Sequence, residues 1–245
     1  MIKNNLIQGL WIGKSLSLME NLSIKSFLAH GQIYHLYVYD KVRNVPEGCV
    51  IKDANEILRR SNIFKYKYGD EKGSYAGFAN LFRFKLLFEK AGIWADLDVV
   101  CLKKFDFKSP YIFTSQSAKN KSRATNNAVI KVPANSRIIA DCYGEAKSID
   151  NKHLKWRQNG SDLLAKYIRK YKIESSIVSP GTFCPINWWE WFKFLENGFD
   201  VETFKTSYAI HLWHEMWRRA ALPEADKNVL HGSKTLYGCL QRMYL

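Results

Sequence analysis

The sequence predicts an α/β fold in which helices flank a mostly parallel central sheet. A strand, a helix and a second strand follow one another over residues 7–39, and a long amphipathic helix leads into a buried strand over residues 75–102. The 245 residues, 47% of them hydrophobic, are enough to build one large core. The sequence contains no repeat, low-complexity tract or linker, so we expect a single domain over residues 1–245.

The opening strand and helix are predicted from local signals. Residues 7–13 form a short apolar run that ends at glycine, which is typical of a buried strand. Ser17 and Glu20 have the spacing of a capping box, so we expect a helix from this point to Gly31. Residues 33–39 are β-branched and aromatic, which favours a second strand. This order predicts a parallel βαβ unit.

Patterns of the same kind predict the later elements. Residues 53–60 favour a short helix, and residues 75–91 place apolar and charged side chains at helical spacing before Gly92. Two amides precede an apolar strand that Pro133 closes. The remaining predicted elements are helices at 138–146 and 162–171, a strand at 177–185 with a turn at Pro180, and helical stretches in a basic amphipathic tail, residues 220–245.

Two carboxylates, Asp96 and Asp98, interrupt the apolar run of residues 92–102. Side chains two positions apart in a strand project from the same face, so we expect both acids to point the same way. Two ionised carboxylates repel unless a positive group lies between them, and a hard divalent cation that also binds phosphate meets this need. A strand end with two solvated acids is the alternative, because the Asp-x-Asp tripeptide is common.

The predicted helix before these acids carries two polar residues in an aromatic setting. Asn80 and Arg83 are three positions apart and therefore share a face. The planar fork of Arg83 suits a phosphate or a sugar hydroxyl near the carboxylates. A simple ion pair between Arg83 and Asp96 is the alternative.

The charge balance predicts an anionic partner. Lys and Arg total 37 against 23 acidic residues, and the net charge of +14 suits nucleic acid, an anionic membrane or a phosphorylated small molecule. The five cysteines are scattered and form no Cys-x-x-Cys pair, which favours reduced thiols in a cytosolic compartment. No run reaches the roughly 18 apolar residues of a membrane span and no signal-peptide core is present, so membrane contact is expected to be peripheral at most.

Several segments together resemble a known enzyme family. The order is Trp-Ile-Gly at residues 11–13, Asn-x-x-Arg before Asp-x-Asp within residues 78–107, the loop and helix of residues 156–164, and His-x-Trp at residues 211–213. This order resembles the DXD-motif glycosyltransferases of family thirty-two, their bacterial capsule and lipopolysaccharide relatives, and the glucosylating clostridial toxins. The resemblance covers residues 5–220. It departs from the family at Asn80, where an Asp is usual, and at Ala91, where the family has a Gly-Gly pair.

The resemblance implies a GT-A fold, a Rossmann-like domain that binds a UDP-sugar donor with Mn²⁺ or Mg²⁺. By this resemblance Asp98 is a direct metal ligand, while Asp96 holds the ribose or donor sugar and helps to fix the ion. Arg83 is expected to bind the donor sugar or diphosphate, and Asn80 the sugar. Lewis-acid assistance to the departing UDP is the role expected of the metal.

Further residues receive expected roles in the same way. Trp11, beside Ile12, is expected to stack on uracil in the donor site, with core packing as the alternative. Asn127 is expected to face donor or acceptor hydroxyls, although Asn is also a favoured turn residue. His211 is a candidate third metal ligand, with a buried structural role as the alternative. Trp213 is expected to donate its indole N–H to the β-phosphate.

The function implied is a retaining transfer of a hexose or N-acetylhexosamine (Gal, GalNAc, Glc or GlcNAc) from a UDP-sugar to a saccharide or lipid-linked saccharide acceptor. The expected setting is synthesis of bacterial capsule, lipopolysaccharide or O-antigen, in the cytoplasm or on the inner face of the cytoplasmic membrane. The tail, residues 220–245, either lies on an anionic bilayer, caps the domain core or packs on a second subunit. Two alternatives are a basic nucleic-acid-binding protein, although no nucleic-acid-binding motif is present, and an inactive partner subunit, which Asn80 would motivate.

Overall fold

Strands and helices alternate through the first hundred residues of the chain. The structure is a computed structural model and describes residues 5–120, 122–198 and 201–245. Ser17 caps the first helix through the predicted capping box with Glu20. The elements of this half are β1 (Leu6–Trp11), α1 (Leu18–Ala29), β2 (Ile33–Val38), β3 (Cys49–Asp53), α2 (Ala76–Lys90), β4 (Gly92–Ala95) and β5 (Val99–Cys101).

The second half adds two antiparallel strands to the sheet and covers it with further helices. Its strands are β6 (Ile112–Ser117), β7 (Arg123–Val132) and β8 (Ala209–His211). Its helices are α3 (Arg137–Ser148), α4 (Ser161–Lys170), α5 (Pro180–Phe183), α6 (His214–Ala220) and α7 (Leu236–Tyr244).

Six strands form the central sheet in the order β3-β2-β1-β4-β7-β6. The pairs β2–β3, β1–β2 and β1–β4 are parallel, while β4–β7 and β6–β7 are antiparallel. The predicted fold class, a mostly parallel sheet flanked by helices, is therefore confirmed. Because the chain runs from β1 outward to β3 and then returns to β4 on the other side of β1, β1 and β4 flank a topological switch point.

Two apolar cores cover the two faces of this sheet. Alternate residues of β2 enter opposite cores: Tyr34 and Leu36 join the core beneath α1 and α7, whereas Tyr37 joins the core beneath α2, α3 and α4. A second, two-stranded sheet of β5 and β8 lies against α1 in the first of these cores.

Two predicted elements differ from the structure, and for the tail one of the three expected roles is observed. Residues 53–60 are the end of β3 and a 3₁₀ turn instead of a helix. The strand predicted at 177–185 is wrong: Pro180 occupies the first turn of the short helix α5, where its missing N–H costs nothing. The tail of residues 220–245 contains α7, whose residues Leu236 and Leu240 are fully buried in the core. Of the three roles left open for the tail, the structure shows that it caps the core.

Candidate active site

The two carboxylates of the Asp-x-Asp sequence lie in a turn, not in a strand. β4 ends at Ala95, β5 begins at Val99, and the N–H of Val99 donates to the carbonyl of Asp96 over 3.1 Å. Strand alternation is therefore the wrong reason for the convergence of Asp96 and Asp98; the turn brings them together. The turn follows the carboxyl end of β4, beside the switch point, where open α/β sheets bind their ligands.

Strand β8 brings His211 to these acids. β5 and β8 pair antiparallel with Val99 opposite His211, and the N–H of Leu212 donates to the carbonyl of Asp98 over 2.8 Å. Nε2 of His211 lies 3.2 Å from Oδ2 of Asp98, and its Nδ1 lies 3.9 Å from the sulfur of Cys184. A backbone pairing between distant parts of the chain thus fixes the imidazole.

Asp96, Asp98 and His211 fit a divalent cation. One ligand atom from each of the three lies within 4.8 Å of the others, and the described part of the chain contains no second group of this kind. Two carboxylate oxygens and an imidazole nitrogen suit Mn²⁺ or Mg²⁺, with Mn²⁺ the more tolerant of nitrogen. The Asp96 side chain remains 26% exposed, so the site is open to further ligands from solvent.

The charges of Asp98 and His211 stabilise each other. Burial raises the pKa of a carboxyl group, but the His211 imidazolium and the N–H of His214, which donates to Oδ2 over 2.9 Å, outweigh it and hold the pKa of Asp98 well below its usual range. Burial lowers the pKa of an imidazole, but Asp98 outweighs that effect and raises the pKa of His211 to about 10. A bound cation would therefore take the place of a proton on His211.

Arg83 is held by an acid, a backbone carbonyl and an aromatic ring. Its Nη2 lies 2.9 Å from Oδ1 of Asp96, its Nη1 donates to the carbonyl of Asn127, and its guanidinium lies over the Trp94 ring at 4.8 Å. Trp94, which the sequence did not single out, donates its indole N–H to the same Asp96 oxygen over 2.8 Å. Only 4% of the Arg83 side chain is exposed. The ion pair with Asp96, an alternative left open by the sequence, is what the structure shows.

Arg83 and Asp96 also shift each other's pKa. Burial lowers the pKa of Arg83, partly offset by the charge of Asp96. Burial raises the pKa of Asp96, and neighbouring Asp98 adds to this effect against the opposing charge of Arg83.

Three amides form a hydrogen-bonded chain beside Arg83. Asn127 donates to Asn80 over 2.8 Å, Asn80 donates to Asn159 over 3.0 Å, and Asn159 donates to the carbonyl of Gly77 over 2.8 Å. Gly160 allows this approach, because a Cβ there would collide with the amide of Asn80. Asn159 was missed, since a loop asparagine carries no signal in the sequence. This chain of amides gives Asn80 a structural role, at the position where the resemblance to family thirty-two implies an Asp.

Comparison with known proteins shows which enzymes the chain is similar to. Residues 135–244 match the sequence profile of a family described as the alpha 1,4-glycosyltransferase conserved region. The human protein named alpha-1,4-N-acetylglucosaminyltransferase is 24% identical over 175 residues, covering 66% of this chain and 48% of the human protein. Over these residues the chain is similar to glycosyltransferases. It spans about half the length of this curated relative.

A solved structure of a glycosyltransferase has a similar fold. PaToxG glycosyltransferase superposes with a TM-score of 0.51 at 17% identity, covering 68% of this chain and 69% of that chain. The predicted GT-A fold and the predicted resemblance are thereby confirmed. None of the helices in the described part of the chain is long and apolar enough to cross a membrane.

Trp11 lies at the carboxyl end of β1 in this glycosyltransferase fold, where a donor base was predicted to stack. Its ring packs partly on the core, and its buried Nε1 has no hydrogen-bond partner among the described residues. The ammonium of Lys227 lies 5.0 Å from the ring and donates to Glu20 over 2.6 Å. Ile12 packs, half-buried, on the opposite core. The sequence did not single out Lys227, which comes from the tail.

Trp213 does not have the predicted free indole N–H. The single hydrogen on its Nε1 is donated to the carbonyl of Ile186 over 2.8 Å. The predicted hydrogen bond from this N–H to a phosphate is therefore wrong, because the N–H is already used. Its ring lies 4.0 Å from the ring of His211. Its backbone is left-handed, with φ 59° and ψ 42°, which is strained for a bulky residue and typical of functional sites. Trp213 therefore supports His211 from one side.

Proposed function

We propose that this chain is a metal-dependent, retaining glycosyltransferase that moves a hexose or N-acetylhexosamine from a UDP-sugar to a saccharide acceptor. The observation that carries the proposal is the convergence of Asp96, Asp98 and His211 at the switch point of a glycosyltransferase-like fold.

Asp98 and His211, with Asp96 beside them, would hold Mn²⁺ or Mg²⁺. The bound ion supplies positive charge that stabilises the departing diphosphate. Arg83 and Trp94 orient Asp96 through the two hydrogen bonds to Oδ1. Trp11 offers the uracil a ring face at the carboxyl end of β1.

The proposed donor and stereochemistry follow from the names of the relatives. The human relative is named for N-acetylglucosamine and an alpha-1,4 linkage. We place GlcNAc first among the donor sugars, with Gal, GalNAc and Glc as the others to test. An α linkage made from an α-linked UDP-sugar retains the anomeric configuration. Asp96 and Asp98 are both engaged in ion pairs, so front-face substitution is favoured over a covalent intermediate on either.

The proposed acceptor is a saccharide or lipid-linked saccharide of a bacterial surface polysaccharide such as capsule, lipopolysaccharide or O-antigen. The net charge of +14 supports peripheral contact with an anionic membrane. Leu222, Val229 and Leu230 in the tail are each at least 45% exposed and offer apolar contacts there. The apolar face of α7 is occupied by the core and is not available for that contact.

Hydrolysis of UDP-sugars with and without Mn²⁺ tests the proposal without knowledge of the acceptor. We expect slow, Mn²⁺-dependent release of UDP from one of the four UDP-sugars and its loss in Asp98→Asn. Asp150→Asn changes an acid whose side chain is 58% exposed and is the matched control. Mn²⁺-dependent binding of UDP without hydrolysis would instead indicate an inactive relative. Salt-sensitive binding of oligonucleotides with no response to UDP-sugars would contradict the proposal.

A further inference from the structure

Besides Nε1 of Trp11, two buried polar atoms near the candidate site have no hydrogen-bond partner among the residues that the structure describes. They are the hydroxyl of Tyr66 and Nη2 of Arg219. Only 2% of Tyr66 is exposed. Leaving such groups unpartnered is unfavourable, so an unpaired buried polar atom in a folded protein needs an explanation such as a bound molecule.

These two residues surround one aromatic ring. The guanidinium carbon of Arg219 lies 4.7 Å from the centre of the half-buried Trp156 ring, and the Tyr66 ring is 5.7 Å away at 49°. We call this group the Tyr66–Trp156–Arg219 cluster. Nη2 of Arg219 lies 3.8 Å from Glu71, which is too far for a hydrogen bond. The free hydrogen-bonding capacity therefore belongs to one phenol and one guanidinium nitrogen beside an indole.

The charges around the cluster are balanced. Nε of Arg219 donates to Glu215 over 3.0 Å, and Arg218 pairs with the same carboxylate at 2.6 Å. Glu71 adds a second acid. Two arginines thus face two acids, so the cluster does not favour an anionic group such as phosphate. A neutral molecule with hydroxyl groups and an apolar face matches it, because its hydroxyls pair with the phenol and guanidinium while its C–H face packs on the indole.

The cluster adjoins the candidate active site on two sides. The Tyr66 ring lies against α2 at Gly77, where a Cβ would come within 3.2 Å of it. The carbonyl of Gly77 anchors the amide chain through Asn159. On the other side, Arg219 belongs to α6, and the first residue of α6, His214, donates its backbone N–H to Asp98.

We propose that Tyr66, Trp156 and Arg219 form a subsite for a neutral pyranose of the acceptor saccharide. Both polar atoms are buried in the free protein, so the Arg219 side chain, which is 22% exposed, turns away from the ring when the sugar binds. The pyranose then stacks on Trp156, and the Tyr66 hydroxyl and Arg219 Nη2 bind its hydroxyls. Calling this sugar the acceptor rests on the proposed function; saccharide binding by the cluster does not depend on it.

Saturation-transfer NMR with the full chain tests the subsite, using methyl glycosides of glucose, galactose, N-acetylglucosamine and N-acetylgalactosamine in EDTA without UDP-sugar. Under these conditions the result is independent of metal and donor binding, which Mn²⁺-dependent binding of UDP reports separately. We expect the wild type to bind at least one glycoside. Tyr66→Phe should weaken that binding about fivefold, the effect of one neutral hydrogen bond. Trp156→Ala should remove it.

The matched control is Tyr68→Phe, in the same loop, since Tyr68 is 67% exposed. It should bind the glycosides like the wild type. Tyr66→Phe should also unfold at the same denaturant concentration as the wild type, because the hydroxyl has no partner in the fold. The proposal is overturned if no glycoside binds the wild type, if Tyr66→Phe and Trp156→Ala bind undiminished, or if Tyr66→Phe unfolds more easily.

Discussion

Arg83 and Asp96 form an ion pair of 2.9 Å in which the arginine is almost fully enclosed and the acid is not. The arginine side chain is 4% exposed and the aspartate side chain 26%. Arg83, which belongs to α2, therefore fixes the orientation of Asp96. Because Asp96 is partly exposed, it can still contact a ligand.

Removing that enclosed partner should destabilise the protein. We expect Arg83→Met to lower the free energy of unfolding by about 2 to 3 kcal/mol, because it leaves Asp96 without its countercharge. Urea denaturation measures the change. Arg60→Met is the control: Arg60 and Asp40 form a surface pair with side chains 58% and 46% exposed, and its loss should leave the free energy of unfolding nearly unchanged. Equal losses in the two variants would contradict a supporting role for Arg83.

His211 should be needed for cation binding. We expect His211→Ala to weaken Mn²⁺ binding at least tenfold, an order-of-magnitude estimate for loss of one ligand or its support. Electron paramagnetic resonance of free Mn²⁺ measures the affinity. His153→Ala alters an exposed histidine whose side chain pairs with Asp150, and it should bind Mn²⁺ like the wild type. Unchanged affinity in His211→Ala would assign the imidazole a structural role.

Asn80 should not tolerate the acid found in relatives without further changes. In Asn80→Asp a carboxylate oxygen would face the oxygen of Asn159, and rotating the Asn159 amide would turn its oxygen toward the carbonyl of Gly77. We expect a loss of about 1 to 3 kcal/mol in unfolding free energy. The control, Asn120→Asp, alters an exposed side chain whose oxygen accepts hydrogen bonds from Ser122, and stability should be kept. A fully stable Asn80→Asp would show that the amide chain is dispensable.

Cys49 and Cys101 should react slowly with alkylating reagents because burial raises the pKa of their thiols. All five are free thiols, as expected, and burial raises the pKa of both Cys49 and Cys101 to about 12. Because the thiolate is the reactive form, their labelling at pH 8 should be far slower than in the denatured chain and should keep rising with pH beyond 9. Mass spectrometry after timed alkylation measures each site. A plateau near pH 9 for Cys49, which is only half-buried, would contradict the raised pKa.

The sequence predicted elements whose signals are local and missed those set by distant contacts. The capping box at Ser17 and the amphipathic run of α2 need no tertiary information, and both were predicted correctly. The strand predicted at residues 177–185 failed because a proline can begin a short helix as readily as close a strand. Strand β3 was missed because it is an edge strand with exposed residues such as Ile51.

The same distinction applies to the candidate site, where the sequence predicted some residues and missed others. Asp96, Asp98 and His211 could be named in advance because their residue types and order resemble a family. Neither the turn that joins the acids nor the hydrogen bond that uses the indole of Trp213 has a sequence signature. Asn159, Lys227 and the Tyr66–Trp156–Arg219 cluster depend on contacts between segments far apart in the chain, which no single-sequence pattern reports.

The pairing of β5 with β8 also determines when the site can form during synthesis of the chain. β8, the partner strand of β5, is synthesised more than a hundred residues after Asp98, because it contains His211. Long-range pairing of this kind is slow relative to helix formation. A nascent chain therefore has no complete group of three cation ligands until nearly all of the domain has been made, and unfinished or truncated copies would lack that group.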